Sequence, residues 1–479
     1  MQENIRRAAL KREALKLAAL AAVTALAGCA SFTGDGGMSV VADITGRTTA
    51  KQVAAVRNDD DAERLRMATR QLLARPLSAD AAVQVALFNN KGLQAAYHAL
   101  ALSEADAIEA SLPPNPTFSL MRISGDGVFE AERQVAGDIL ALATLPLRSE
   151  IARERFHQAQ LRAALATLRL AAEVRRAYVR AVAANELVGL LVEAQSAAEA
   201  TARLAAKLGE TGALNRLDQA REQVFYAETT AELATARRAA GSARERLIRL
   251  MGLWGDDLGF RLPDHLPSLP RRPLTQPFIE RDAVAHRIDL QIARQELTAL
   301  ANSLQLTEAT RFVTLLDLAG LDRKTGEPDG RVIRERGYDV QFQIPVFDGG
   351  EVRLRQAAET YNIAFNRLSE RAVTVRSEAR DAYRSYRATY DIAGHYAREV
   401  LPLRKIISEE MQLRYSSMQV DIFALLLEAR QRLASRRAAI DAMKDFFLAE
   451  AELSAAVNGG VTTSEETTQQ TASTLAPND

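Results

Sequence analysis

Polar and apolar residues alternate most cleanly between Tyr338 and Ile344, where Tyr338, Val340, Phe342 and Ile344 interleave with Asp339, Gln341 and Gln343. A period of two predicts a strand with one apolar and one polar face. Pro345 ends it, having a fixed φ and no N–H for the ladder. The pattern then changes. From Glu351 to about Tyr415 the chain is rich in Ala, Arg, Glu and Leu and holds one proline, Pro402, which predicts a helix on the order of 100 Å long. No compact globular domain has room for such an element.

Upstream, helical periodicity begins near Asp80, a candidate N-cap, and stops at Pro113 and Pro114. PNPTFSLMRIS from Pro114 and RQVAGDILALATLPLR from Arg133 predict two strands joined by a polar turn at Ser124–Gly127, the second ending at Pro146. Glu150 to Leu208 is again helical, Gly209–Gly212 marks a break, and a second helix runs from about Ala213 to Leu250. The order then recurs. Ala283, Leu290 and Gln291 match Ala86, Leu93 and Gln94 at a shift of 197, Pro345 follows Pro146 by 199, and the later break matches the earlier at a shift of 209. This predicts a tandem repeat of helix, two strands and a long helix pair. The expected divisions are a signal segment 1–28, an extended arm 29–78, a first repeat 79–254, a proline-rich linker 255–279, a second repeat 280–458 and a disordered tail 459–479. Two hydrophilic stretches, SGDGVFEAE from Ser124 and Asp322 to Gly337, are expected to be loops facing outside.

Composition agrees with long helices: 47% of the 479 residues are hydrophobic and 25% charged, with only 25 Gly and 14 Pro. Basic and acidic residues balance at 61 each, which argues against a nucleic-acid partner. The N-terminus carries a basic region, an apolar run from Leu17 to Ala27, and LAGC ending at Cys29. That run is too short to span a bilayer. It resembles a bacterial lipobox, so Cys29, the single cysteine of the chain, is the expected lipid attachment, and Ala30 after it resembles the pattern sent to the outer membrane. Four strands per chain can cross a bilayer but cannot close a barrel, and open edges are not tolerated in lipid. Either the strands lie outside the membrane or several chains pool them.

Taken together, the lipobox, the hairpins ending in LPLRSE and IPVFDGG, the turns GETGALNRLDQA and MQVDIFALLLEA, and the linker LPDHLPSLP resemble the TolC-type outer-membrane efflux factors over about residues 78–458. The resemblance implies a fold that is mainly α with membrane β: a long α-helical barrel plus a transmembrane β-barrel, twelve-stranded, formed by a homotrimer and built from a tandem structural repeat. It also implies a periplasmic adaptor (membrane fusion) protein and an inner-membrane pump of the resistance-nodulation-division (RND) class as partners, outer-membrane lipid around the barrel, and heavy metals or drugs as cargo. In the family the helix tips are closed near the turn before the last helix and open like an iris. The family's acidic-Ala pair falls here on Glu428 and Ala429. Its other acidic position falls on Leu425, a departure, so Leu425 and Leu426 could form an apolar plug with Asp421 and Glu428 supplying charge. Asn215, Arg216 and Asp218 occupy the corresponding earlier turn. The plainer reading makes Asp421 and Glu428 surface charges paired along the helix with Arg414 or Arg430.

Catalysis finds little support. His98, His157, His265, His286 and His395 lie on separate segments with no metal-ligand spacing, and there is no phosphate loop or nucleophile elbow. No cofactor or metal is expected. Two readings therefore compete: an efflux channel, and a periplasmic coiled-coil spacer or adaptor lipoprotein without a pore, in which four amphipathic strands would have no place.

Overall fold

The computed structural model describes residues 32–126 and 128–459; the signal segment, Cys29 and the chain beyond 459 lie outside the described residues. In chain order the helices are α1 Met38–Thr49, α2 Asp59–Leu73, α3 Ala79–Asn89, α4 Lys91–Ser111, α5 Ile139–Glu210, α6 Arg216–Met251, α7 Ile279–His286, α8 Ile288–Ala309, α9 Glu351–His395, α10 Leu401–Ser416 and α11 Ile422–Asn458. Strands β1 Thr117–Gly125 and β2 Val128–Asp138 follow α4, and β3 Leu315–Gly326 and β4 Val332–Gln343 follow α8. The described residues form two compact units: one holds 32–37, Ala99–Gln160 and Ile292–Ser369, the other Met38–His98, Leu161–Gln291 and 370–459.

The first unit carries one antiparallel sheet in the order β1-β2-β3-β4. Tyr338 to Gln343 is strand as the alternation predicts, and the ladder stops before Pro345. Three sequence expectations are corrected here. Asp322–Gly337 is not a loop: β3 and β4 continue through it, leaving a turn at 327–331 closed by Glu327 N–H on the Arg331 carbonyl at 2.8 Å. Ser124–Glu132 is likewise mostly strand, with β1 running to Gly125 and β2 beginning at Val128. The second strand ends at Asp138 rather than Pro146, and α5 begins at Ile139 with Pro146 inside it. Asp138 makes the difference, because its carboxylate accepts from Ala141 N–H at 2.7 Å and caps the helix. Pro146 is the eighth residue of α5, past its first turn, and leaves the Leu142 carbonyl without its helical N–H donor.

The second unit is helical, with Leu77, Val83, Leu87, Tyr97, Leu247, Met251, Leu290, Tyr386 and Phe446 fully buried. Phe446 sits at the centre of an aromatic group, its ring 5.5 Å from Tyr386 and 5.7 Å from Tyr390. Residues 38–73, expected to be an extended arm, form α1 and α2; Asn58 caps α2 on Asp61 N–H at 2.8 Å, and Asp59, Asp60 and Asp61 favour its positive end. Only 51–57 run without regular structure, held by Gln94 Oε1 on Val56 N–H at 2.9 Å. The cap of α3 is Ser78, not Asp80, and the expected single helix from there to Pro113 breaks at Asn90, whose ψ of 116° is extended. Glu351–Ser416 is helical almost throughout, with one π turn at Tyr396–Val400 ahead of Pro402. Such a widened turn is a common accommodation where a proline cannot donate to the preceding turn.

One contact occurs in both halves. Asn90 and Arg287 end α3 and α7 in extended backbone, 197 positions apart. Asn90 Nδ2 donates to the Leu250 carbonyl at 2.9 Å, and Arg287 Nη1 to the Ala456 carbonyl at 3.4 Å. Each break residue thus satisfies an unpaired carbonyl at the end of its own half's last helix.

Candidate functional site

The sheet sorts its side chains by pairing. Phe118, Val135, Gly320 and Tyr338 lie in one row, with Gly137, Leu318 and Val340, then Leu316 and Phe342, in the next two rows on the same face. This half of the face is apolar and open: Phe118 is 74% and Tyr338 81% exposed. The opposite face carries Asp138, Asp317, Asp339, Gln134, Gln341 and Gln343, and farther from the strand-helix junctions Glu130, Glu132 and Glu335 around Arg323. Arg323 Nη2 bonds Glu132 Oε2 at 2.7 Å, and its Nε lies 3.0 Å from Glu130 Oε1. One face thus carries six carboxylates interspersed with side chains such as Met121, Ile123, Leu315 and Leu321, and hydrocarbon covers half of the other. An exposed apolar surface of this extent needs a non-aqueous neighbour.

In the second unit the two long helix pairs turn by the same device. α5 ends at Glu210, Gly212 takes φ 74°, and Asn215 caps α6 by accepting from Asp218 N–H at 2.9 Å. α10 ends at Ser416, Met418 takes φ 61°, and Asp421 caps α11 by accepting from Ala424 N–H at 2.8 Å. Both pairs are 206 positions apart, not 209. Counting seven residues past each cap reaches Glu222 and Glu428, both more than nine-tenths buried. Arg430 Nη2 donates to Glu222 Oε1 at 2.9 Å and stacks its guanidinium 4.2 Å from the Phe225 ring. Arg404 Nη1 donates to Glu428 Oε2 at 3.0 Å and to Gln431 Oε1 at 2.8 Å. The second oxygen of each glutamate and the Nε of Arg430 are buried without a hydrogen bond. Helix α11 is thus tied to α10 through Glu428 and to α6 through Arg430.

No family model matches the sequence. The cobalt-zinc-cadmium resistance protein CzcC of Cupriavidus metallidurans is 26% identical over 296 residues, which is 59% of this chain and 66% of CzcC. Among solved structures, CusC, which forms a transmembrane channel, superposes with a TM-score of 0.66 at 16% identity over 79% of this chain and 92% of CusC. The CmeC outer membrane channel of Campylobacter jejuni gives 0.65 at 18% identity over 82% and 88%. In fold, the chain matches these solved outer-membrane channels.

The predicted tip residues have distinct settings. Asp421 and Asn215 act as caps, and Asn215 Nδ2 also donates to Asp218 Oδ2 at 2.7 Å. Asp218 receives Arg221 Nη1 at 3.0 Å as well, and Arg216 is exposed beside it. Leu425 and Leu426 are half-buried. Glu428 bonds across to Arg404 on the neighbouring helix, whereas the expected partners, Arg430 on its own helix and Arg414 on α10, bond Glu222 and Glu410. Glu222 and Arg404 were not singled out by sequence, and Arg430 was expected to pair along its own helix; the signal available was the cap-to-glutamate spacing, identical in both halves. Among the described residues no three His, Asp or Glu side chains converge to hold a metal, and no helix is long and apolar enough to cross a membrane. The histidines stand apart: His157 lies 3.2 Å from Gln160 Oε1, His265 and His395 each 3.2 Å from a glutamate, and His286 2.8 Å from the Asp282 carbonyl.

Proposed function

We propose that this protein is the outer-membrane channel of a tripartite efflux system, passing small solutes, drugs or metal ions, from a periplasmic adaptor and an inner-membrane RND-type pump to the exterior. The observation that carries the reading is the two-faced sheet with its two edges, β1 and β4, unpaired. In lipid every backbone group needs a partner, so β4 of one copy pairs with β1 of the next, and three copies of four strands close a barrel. The apolar face then meets lipid and the carboxylate face lines the lumen, where Asp138, Asp317, Asp339 and Glu335 favour cations over anions. The LAGC sequence at Cys29 supports lipid anchoring in the same membrane. A pore-free spacer would leave the exposed apolar rows of the sheet without a role.

The gate in this reading is the pair of turns. Opening by an iris motion moves α11 against its neighbours, and the Arg404–Glu428 link is the contact such a motion breaks. Leu425 and Leu426, half-buried on the same turn, supply a dewetting ring, and Asp421 is spent as a cap. The test is single-channel conductance of the purified protein in a planar bilayer beside Glu428→Ala and Leu425→Ser. We expect a small, flickering wild-type conductance that rises in both variants. A large conductance unaltered by either removes the gate assignment, and no conductance from folded, inserted protein refutes the channel.

A further inference from the structure

The apolar face of the sheet does not stay apolar. Beyond the row of Phe118, Val135, Gly320 and Tyr338, the next row on the same face is Leu120, Arg133, Asp322 and Arg336, and the one after it Arg122, Ala131, Lys324 and Arg334. Five bases and one acid occupy these two rows. Asp322 is claimed by Arg334 and Arg336, the latter 3.6 Å away. Arg133 is exposed and has no acidic partner among the described residues. On the opposite face at the same height stand Glu130, Glu132 and Glu335 with Arg323. The sheet is therefore polarised across its thickness, basic on the side that carries the apolar rows and acidic on the other. A strand pattern made only for solubility would mix both signs on both faces.

We infer that these basic rows bind phosphate-bearing headgroups of the lipid leaflet that surrounds the sheet. The proposal rests on the channel reading, which sets this face against lipid. Three rows of apolar side chains meet acyl chains, and the bases begin where headgroups begin. The two charged rows lie on the turn side of the apolar ones, so the leaflet is the one nearer the hairpin turns. The apolar rows, from Phe342 to Tyr338, cover only about 14 Å of strand at about 3.4 Å per residue, which is short for the hydrocarbon band of about 25 Å spanned by barrels of this class. Fixed cations at one rim of a short apolar band hold anionic headgroups close and let the leaflet thin locally to match. Arginine suits the task because its fork takes two phosphate oxygens at once. Further out the face turns apolar again: the Phe129 ring lies over Gly326, where an added Cβ would fall 2.1 Å from it, and Arg122 sits 5.9 Å from the Phe129 centroid.

The test is lipid enrichment around the full-length protein, reconstituted in vesicles of phosphatidylcholine with a minor fraction of phosphatidic acid, detergent-extracted and read by native mass spectrometry. Conductance of the same preparations is recorded in parallel. The comparison is wild type against Arg133→Gln/Lys324→Gln/Arg336→Gln, the charge-keeping Arg133→Lys/Arg336→Lys, and the opposite-face control Arg323→Gln. We expect phosphatidic acid to be retained by wild type, by the lysine variant and by Arg323→Gln, and retention to fall roughly a hundredfold in the triple variant, from about tenfold or less per cation. Conductance should persist throughout. The proposal is overturned if wild type shows no preference for the phosphomonoester lipid, if the triple variant keeps it, or if Arg323→Gln or the lysine variant loses it equally. Conductance with no lipid preference sinks this proposal and leaves the channel standing. Absence of conductance, by contrast, sinks the channel reading itself.

Discussion

Removing Arg430 is the sharpest perturbation the structure offers. Its Nη2 is bonded to Glu222 Oε1 at 2.9 Å, and the other Glu222 oxygen is already buried without a partner. An Arg430→Met variant therefore leaves a buried carboxylate with neither oxygen bonded. Breaking a fully buried ion pair from one side costs about 3–5 kcal/mol. Here the Glu222 side chain is 5% exposed but that of Arg430 is 35% exposed, so water relieves part of the penalty. Losing the stack on Phe225 adds about 0.5–1 kcal/mol. The balance is a local cost of about 2 kcal/mol, which is roughly a thirtyfold rise in the opening equilibrium where α6 meets α11. Amide hydrogen exchange of the detergent-solubilised protein reads this directly: backbone amides of 219–229 and 426–436 should exchange roughly thirtyfold faster, with those around Phe446 unchanged. The companion Glu222→Leu/Arg430→Leu removes both charges and should restore most of the protection, because a buried pair contributes little over a hydrophobic replacement. Unaltered exchange in Arg430→Met would show that the pair carries no stability. A double variant worse than the single would show that packing, not the stranded carboxylate, sets the cost.

Two further predictions concern the helical unit. Met418 holds a left-handed φ of 61° with its side chain 94% exposed, at the position where the first half has Gly212; Met418→Gly should stabilise the turn by about 0.5–1 kcal/mol, the αL penalty less the added chain entropy, and a fall in melting temperature instead would mean the side chain is held by contacts. Burial pushes the Glu450 carboxyl above its ordinary value of 4.5, with Arg175 opposing. A raised folded value gives stability that is present below pH 4.5 and is lost as pH climbs through the folded value. Glu450→Gln should therefore melt higher than wild type at pH 8, with the gap closing toward pH 4.5, and an equal gap at both pH values would refute the assignment.

How far the sequence can be read depends on what each residue must satisfy. Tyr338 to Gln343 is legible because its two faces differ in polarity at every step. Arg334, Glu335 and Arg336 in the same strand alternate just as strictly, yet in sign of charge, so a hydropathy reading sees only a polar run and assigns a loop. Glu132 and Arg133 repeat that pattern on β2. Beyond Asp138, the run Ile139–Leu145 is apolar without a period, and Pro146 looks like a terminator; the cap at Asp138 is the signal that decides it. Glu222, and its equivalence to Glu428, were out of reach for a related reason. Matching the turns on Ala220 and Ala429 sets the halves 209 apart, whereas Asn215 and Asp421 set them 206 apart and bring Glu222 onto Glu428. Alanines on a long helix answer to close packing, which recurs at many positions and tolerates slippage. A cap answers to orphaned N–H groups that exist at one place only. In a chain of long alanine-rich helices, helix ends rather than hydrophobic similarity therefore carry the register, and residues counted inward from them are where equivalent chemistry in the two halves is to be sought.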